Sequence, residues 1–174
     1  MIPESRTLVR EEGIWTCFDL EDDERLQGIL PTLGSLLLRA REAAKHSYCP
    51  YSGFAVGSTV LAEGAMFDGC NIENASYGGT LCAERVALAT AVAAGRRSLE
   101  LIAVSTSARP GAALSERSPC GLCRQFLGEF ASERTLVLLD AGNDSAGRLR
   151  ADLIAFDTLM PWRFRLRDGT ELDS

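Results

Sequence analysis

Cys82, Cys120 and Cys123 share one expected setting, the entry to a helix: Cys82 follows Gly78-Gly79-Thr80, and Cys120 and Cys123 follow Ser118-Pro119. A helix N-terminus presents unpaired N–H groups and the positive end of the helix dipole, which lowers a thiol's pKa and favours the thiolate. Cys120 and Cys123, three positions apart, fall on one face of a helical first turn. If the two helix starts are neighbours, three thiolates converge on one point, a donor set suited to tetrahedral Zn²⁺. Glu84, two residues beyond Cys82, then stands beside the ion as a carboxylate able to move protons.

Ligand chemistry alone leaves two kinds of zinc centre open. A structural site is usually closed by four protein ligands, whereas a catalytic one keeps its fourth position for water. Cys70 falls inside an expected strand and the lone His46 is remote from both motifs, so no fourth ligand stands out. A redox role for the Cys-x-x-Cys pair lacks a thioredoxin-like surrounding pattern, and Cys17, Cys49 and Cys70 read as ordinary semi-buried thiols. No basic, apolar, small-residue leader opens the sequence, and clustered thiols of this kind fit a reducing compartment, so a cytoplasmic location is expected.

The elements that must position these residues are legible from periodicity. Leu33, Leu36, Leu37, Ala40 and Ala44 form one apolar stripe, predicting a helix from near Thr32 to His46. Phe54 to Ala62 and Ala65 to Asn71 read as a hairpin around Glu63-Gly64. Leu101 to Thr106 and Thr135 to Leu139 are short β-rich runs, as expected for central strands covered on both faces. Helices are expected from about Cys82 to Ala94, stopping at Gly95, and from Cys120, with Leu122, Phe126, Leu127 and Phe130 on one side. Strands alternating with helices argue for an α/β fold in which helices pack on the faces of a mixed sheet.

The chain has 174 residues, enough for one domain with a single core, and 46% hydrophobic with 24% charged residues is a globular composition. No apolar run approaches the ~18 residues of a membrane helix. A formal charge of −6 and the lack of mixed basic and aromatic patches argue against a polynucleotide partner. Residues 1 to about 30 are set apart by Glu11, Glu12, Asp19, Glu21, Asp22, Asp23 and Glu24 beside Trp15 and Phe18. They read as an acidic N-terminal extension, its aromatics docking on a domain of residues 31–174.

Four segments in register, and a fifth near the C-terminus, resemble the homotetrameric zinc-dependent cytidine deaminase family. They are Tyr48-Cys49-Pro50-Tyr51-Ser52-Gly53-Phe54-Ala55-Val56-Gly57, Gly69-Cys70-Asn71-Ile72-Glu73-Asn74-Ala75-Ser76-Tyr77, Cys82-Ala83-Glu84-Arg85, and Ser118-Pro119-Cys120-Gly121-Leu122-Cys123-Arg124-Gln125. Leu159-Met160-Pro161-Trp162-Arg163-Phe164 is similar to the family's C-terminal pattern, so the likeness runs from about Gly34 to Phe164. The zinc deaminases use a Cys₃ or His-Cys-Cys site with a glutamate that is not a ligand and a Pro-Cys-x-x-Cys motif, and this sequence matches the Cys₃ variety.

The resemblance implies a three-layer α/β/α sandwich with a mixed sheet of about five strands. It implies Zn²⁺ held by Cys82, Cys120 and Cys123, and hydrolysis of cytidine or 2'-deoxycytidine by zinc-activated water, with Glu84 as the proton shuttle. Phe54 packs on the pyrimidine, Asn71 and Glu73 hold ribose hydroxyls, and the Ala83 N–H and Ser118 C=O read O2 and the 4-amino group. Phe164 reaches a neighbouring subunit's ligand, which implies a homotetramer with shared active sites. Arg85 is expected to draw electron density from the ligand sulfurs rather than to bind substrate. Two departures stand out: Leu81 precedes Cys82 where a smaller or polar residue is expected, and Trp162 is bulky. The alternatives are a deaminase of a modified cytosine nucleoside of the blasticidin type and a non-catalytic, zinc-stabilised nucleoside-binding protein.

Overall fold

A computed structural model describes residues 31–109 and 111–165, and the backbone of residues 14–19 and 30. Five strands, β2 (Val56–Ala62), β3 (Ala65–Cys70), β4 (Leu99–Thr106), β5 (Ala131–Asn143) and β6 (Leu149–Ala155), make up the mixed sheet. A further strand, β1 (Ile14–Asp19), completes the order β1-β6-β5-β4-β2-β3. Only β4 and β5 run parallel, and every other neighbouring pair is antiparallel. Five α-helices accompany the sheet among the described residues: α1 (Leu30–Ala44), α2 (Ala83–Ala93), α3 (Leu114–Arg117), α4 (Gly121–Gly128) and α5 (Phe156–Leu159). None of them is long and apolar enough to cross a membrane.

The expected hairpin is present, and Glu63 and Gly64 both take positive φ (48° and 76°), the pairing that matches a two-residue turn to the twist of its strands. The α1 stripe of Leu33, Leu36, Leu37 and Ala40 is fully buried against Leu61, Leu101, Ala103, Leu136, Leu138, Ala151 and Leu153 on one sheet face. The opposite face carries Val60, Ile102, Val104, Val137, Leu139 and Ile154 under Ala87, Leu88 and Ala91 of α2 and Cys123 and Leu127 of α4. Both faces of β4 and β5 are therefore covered, and the three-layer α/β/α arrangement stands.

Two glycines set how closely the helices approach. A Cβ on Gly57 would lie 2.0 Å from the Ala40 carbonyl oxygen of α1, and one on Gly69 would lie 2.4 Å from the Ala87 nitrogen and 2.5 Å from the Ala83 oxygen of α2. Only a missing side chain lets β3 lie against the first turns of α2.

Strand β1 arises within the segment expected as an acidic extension. It pairs antiparallel with β6, Ile14 opposite Ile154 and Asp19 opposite Arg150. Glu11, Glu12, Glu21, Asp22, Asp23 and Glu24, and the side chains of Trp15, Cys17 and Phe18, lie outside the described residues.

Candidate active site

Cys82 is the N-cap of α2 and Cys120 the N-cap of α4, both with extended backbone, and Cys123 lies in the first turn of α4. Proline shapes this entry, since Pro119 has no N–H to satisfy and fixes the chain just ahead of the cap. The cap carbonyls open each helix in the usual way: Val86 N–H donates to Cys82 O at 3.1 Å and Arg124 N–H to Cys120 O at 2.9 Å. The Sγ atoms of all three cysteines lie within 4.8 Å of one another. Cys82 and Cys120 are 3.9 Å apart and Cys120 and Cys123 3.5 Å. Zinc–sulfur bonds of ~2.3 Å in a tetrahedron put sulfurs roughly 3.8 Å apart. Soft donors at these separations fit that ion. No fourth cysteine, histidine or carboxylate joins the group among the described residues, which is the ligand count of a catalytic rather than a structural centre.

The electrostatics of the cluster follow from its packing. The Cys82 thiol is brought down to about 5, first by the hydrogen bond from Cys123 and further by Arg85 and Cys120, against the cost of burial. Cys123 is pushed the other way by that same bond and by its burial, so negative charge settles first on Cys82. Arg85 places Nη2 2.7 Å from the Thr80 carbonyl oxygen and 3.9 Å from Cys82 Sγ. Burial works against its charge, but the thiols, Cys82 foremost, outweigh this and raise its pKa. Glu84 is only 4% exposed, and its carboxyl is held above the ordinary range by burial and then by the charge of Cys82.

Cys82, Glu84 and Cys120 line a cavity of about 230 Å³ whose walls also include Phe54, Val56, Asn71, Glu73, Leu81, Ala83 and Ser118, while Cys123 and Arg85 do not line it. Phe54, Asn71, Glu73, Ala83 and Ser118, expected at the site, are thus brought together. Leu81 faces the same space and is fixed by paired backbone bonds to Ile72, each 2.9 Å.

Asn71 is a bracket as well as a wall. Its Nδ2 donates to Phe54 O at 2.9 Å and its Oδ1 accepts from Val56 N–H at 2.8 Å, so one side chain holds the segment that carries Phe54. One N–H and one lone pair of the amide stay available to a ligand. The carboxylate of Glu73 accepts from the Ser52 hydroxyl and from the N–H groups of Tyr51, 2.9 Å, and Ser52, 3.2 Å. These bonds, the hydroxyl's first, keep its pKa below the usual carboxylate range.

Phe164 lies outside this cavity and is 66% exposed. Its carbonyl accepts from Gln125 Nε2 at 3.0 Å, and Arg163 is anchored on Ala131 O at 2.9 Å, so the arm is fastened to its own chain while the ring is turned toward solvent.

Ser52, Thr80, Thr106, Glu116 and Arg117 also line the cavity without having been assigned a place there. Thr106 ends β4, one of the two parallel strands, and the carboxyl ends of parallel strands are where such sheets bind ligands. Arg117 immediately precedes Ser118-Pro119-Cys120, which was the available signal.

Residues 32–139 match the family model described as the cytidine and deoxycytidylate deaminase zinc-binding region. A cytidine deaminase of Halalkalibacterium halodurans is 40% identical over 137 residues, covering 76% of this chain and 94% of that protein. A cytidine deaminase of Mycobacterium tuberculosis is 40% identical over 122 residues, 69% of this chain and 87% of that one. Among solved structures, cytidine deaminase from Burkholderia pseudomallei superposes with a TM-score of 0.62 at 37% identity, covering 75% of this chain and 98% of that chain. The Mycobacterium tuberculosis enzyme structure gives 0.60 at 35% identity, with 76% and 97% covered. With the match extending over more than half of its length and the three cysteines gathered as a zinc site, the chain belongs to the cytidine and deoxycytidylate deaminase zinc-binding family.

Proposed function

We propose that this chain is a zinc-dependent hydrolase that converts cytidine or 2'-deoxycytidine to uridine or 2'-deoxyuridine with release of ammonia. The observation that carries the reading is the three-thiol cluster opening, beside buried Glu84, into a cavity walled by Phe54, Asn71 and Glu73. The chemistry zinc supplies here is the activation of a water for attack at C4 of the cytosine ring.

Everything else falls to the protein. Glu84, whose burial raises its proton affinity, takes the proton of that water, delivers it to N3 and moves a second proton to the departing amino group. The Ala83 N–H donates to O2, and the Ser118 carbonyl accepts from the 4-amino group. Phe54 packs on the pyrimidine. Glu73, kept ionised by the Ser52 loop, accepts from ribose hydroxyls alongside the spare valences of Asn71. Arg85 offsets part of the thiolate charge, so that three sulfurs do not quench the Lewis acidity of the site.

Phe164 is proposed to complete the site of a neighbouring subunit within a homotetramer, a reading supported by its exposed ring and tethered backbone. We assign residues 31–174 to the deaminase domain and residues 1–30 to an acidic extension that lends strand β1 to the domain's sheet, and ligand thiols suit a reducing compartment such as the cytoplasm. Leu81 on the cavity wall favours, as a second reading, a modified cytosine nucleoside of the blasticidin type.

The test is the fall in cytosine absorbance over a panel of cytosine nucleosides and nucleotides, with and without chelator. Loss of absorbance with cytidine or deoxycytidine, abolished by chelator and restored by zinc, is expected. Turnover of a modified nucleoside alone establishes the second reading, and binding of zinc and cytidine without ammonia release overturns both.

A further inference from the structure

Arg117 lines the cavity yet points its charge away from any ligand role. Its side chain is 13% exposed, and all three guanidinium nitrogens are engaged: Nε on Ala112 O at 3.1 Å, Nη1 on Asp140 O at 2.8 Å and Nη2 on Asp152 Oδ2 at 2.5 Å. The acceptors belong to three places in the chain, the loop before α3, the end of β5 and the middle of β6. A planar fork with five fixed N–H groups is the one side chain able to satisfy such a divergent set.

The next residue is Ser118, and Cys120 caps α4 two positions later. The segment between α3 and α4 is thus pinned on one side by Arg117. From the other side Arg124 donates to Pro119 O at 2.8 Å and to Ser118 Oγ at 3.2 Å. Arg117 ties the segment to the sheet, whereas Arg124 ties it to its own helix and to Leu159 O at 2.9 Å.

We propose that Arg117 is a positioning residue that fixes the Ser118 carbonyl relative to the sheet, so that it meets the 4-amino group of the base. The inference rests on the nucleoside deaminase reading above. A carbonyl displaced by a few tenths of an ångström weakens a hydrogen bond that the amino-bearing substrate makes and the product does not, because uridine carries oxygen in place of the 4-amino group. Arg117 therefore acts on discrimination between substrate and product as well as on the fold.

The test compares Arg117→Met with Arg117→Met/Asp152→Asn. The single variant removes the Arg117 guanidinium from the Asp152 carboxylate and is expected to lose stability, and the double variant, which also removes that charge, regains part of it. In both, KM for cytidine is expected to rise about tenfold, the loss of roughly one neutral hydrogen bond. The inhibition constant of uridine is expected to change less than about twofold, and zinc content to match the wild type. A parallel rise of the two constants, or a KM in the double variant equal to that of the wild type, overturns the proposal and leaves Arg117 a purely structural residue. Absence of cytidine turnover in the wild-type chain, by contrast, defeats the functional reading itself.

Discussion

Arg85 and Thr80 hold one another: the guanidinium Nη2 donates to the Thr80 carbonyl at 2.7 Å, and in that pose the same nitrogen stands 3.9 Å from Cys82 Sγ. The backbone turn before α2 thus aims a fixed positive charge at a metal ligand. Its Nε is buried with no hydrogen-bond partner among the described residues, which a group kept for its charge rather than its bonding can tolerate.

Arg85→Gln is expected to reduce turnover by about tenfold, the scale of losses when a partner behind a metal ligand is removed, with little change in zinc content. Steady-state rates measured beside metal analysis check this. Wild-type turnover in the variant removes Arg85 from the mechanism.

Glu84→Gln keeps the shape of the buried side chain and removes its capacity to carry a proton. Folding and zinc content should persist while uridine formation falls roughly 10²–10⁴-fold. Near-normal uridine formation by the metal-loaded variant would transfer the shuttle to another group.

Gly69→Ala tests the seating of α2. The new methyl would meet the backbone of Ala83 and Ala87 at 2.5 and 2.4 Å, and backbone cannot rotate aside. The helix must move and carry Cys82 and Glu84 with it, so a stability loss on the order of 3 kcal/mol and weakened zinc retention are expected. Thermal melts and metal content read the two effects separately.

The pH dependence of substrate affinity follows from Glu73. A carboxylate whose folded pKa is lowered contributes fully above the ordinary value, and its contribution is lost as pH falls through the lowered one. Since the Ser52 hydroxyl is the main cause, wild-type KM for cytidine should stay flat as pH falls through about 4.3, the usual Glu value, and rise only below it. In Ser52→Ala the rise should begin nearer that value. Superimposable KM profiles would detach Glu73 from ribose binding.

The zinc cluster was legible because it depends on local chemistry: helix caps, a proline and a three-residue spacing declare themselves in sequence. The hairpin, α1, α2 and α4 declared themselves by period and by turn residues for the same reason. Strand β6 did not, because Arg150 and Asp152 interrupt its apolar pattern, and the burial of Asp152 is matched by the Arg117 guanidinium placed beside it, which the sequence does not announce. Strand β5 runs from Ala131 to Asn143, well past the apolar core of Thr135 to Leu139, since its exposed start and polar end are held by pairing rather than by hydrophobicity. The one-turn helices α3 and α5 are too short to show any period. The supporting hydrogen bonds of Asn71 and Glu73 required knowing that the segment leading into β2 lies beside the chain that leaves β3.

The pairing of β1 with β6 has a consequence for anyone shortening this protein. Without residues 14–19, β6 would replace β1 as the outermost strand of the sheet, and the row of amide and carbonyl groups that β1 now satisfies would become an open template for another chain's backbone. A version beginning at the first helix would therefore carry its open edge on β6, whose residues 151–155 are now buried, and its storage behaviour at high concentration would suffer before its chemistry did.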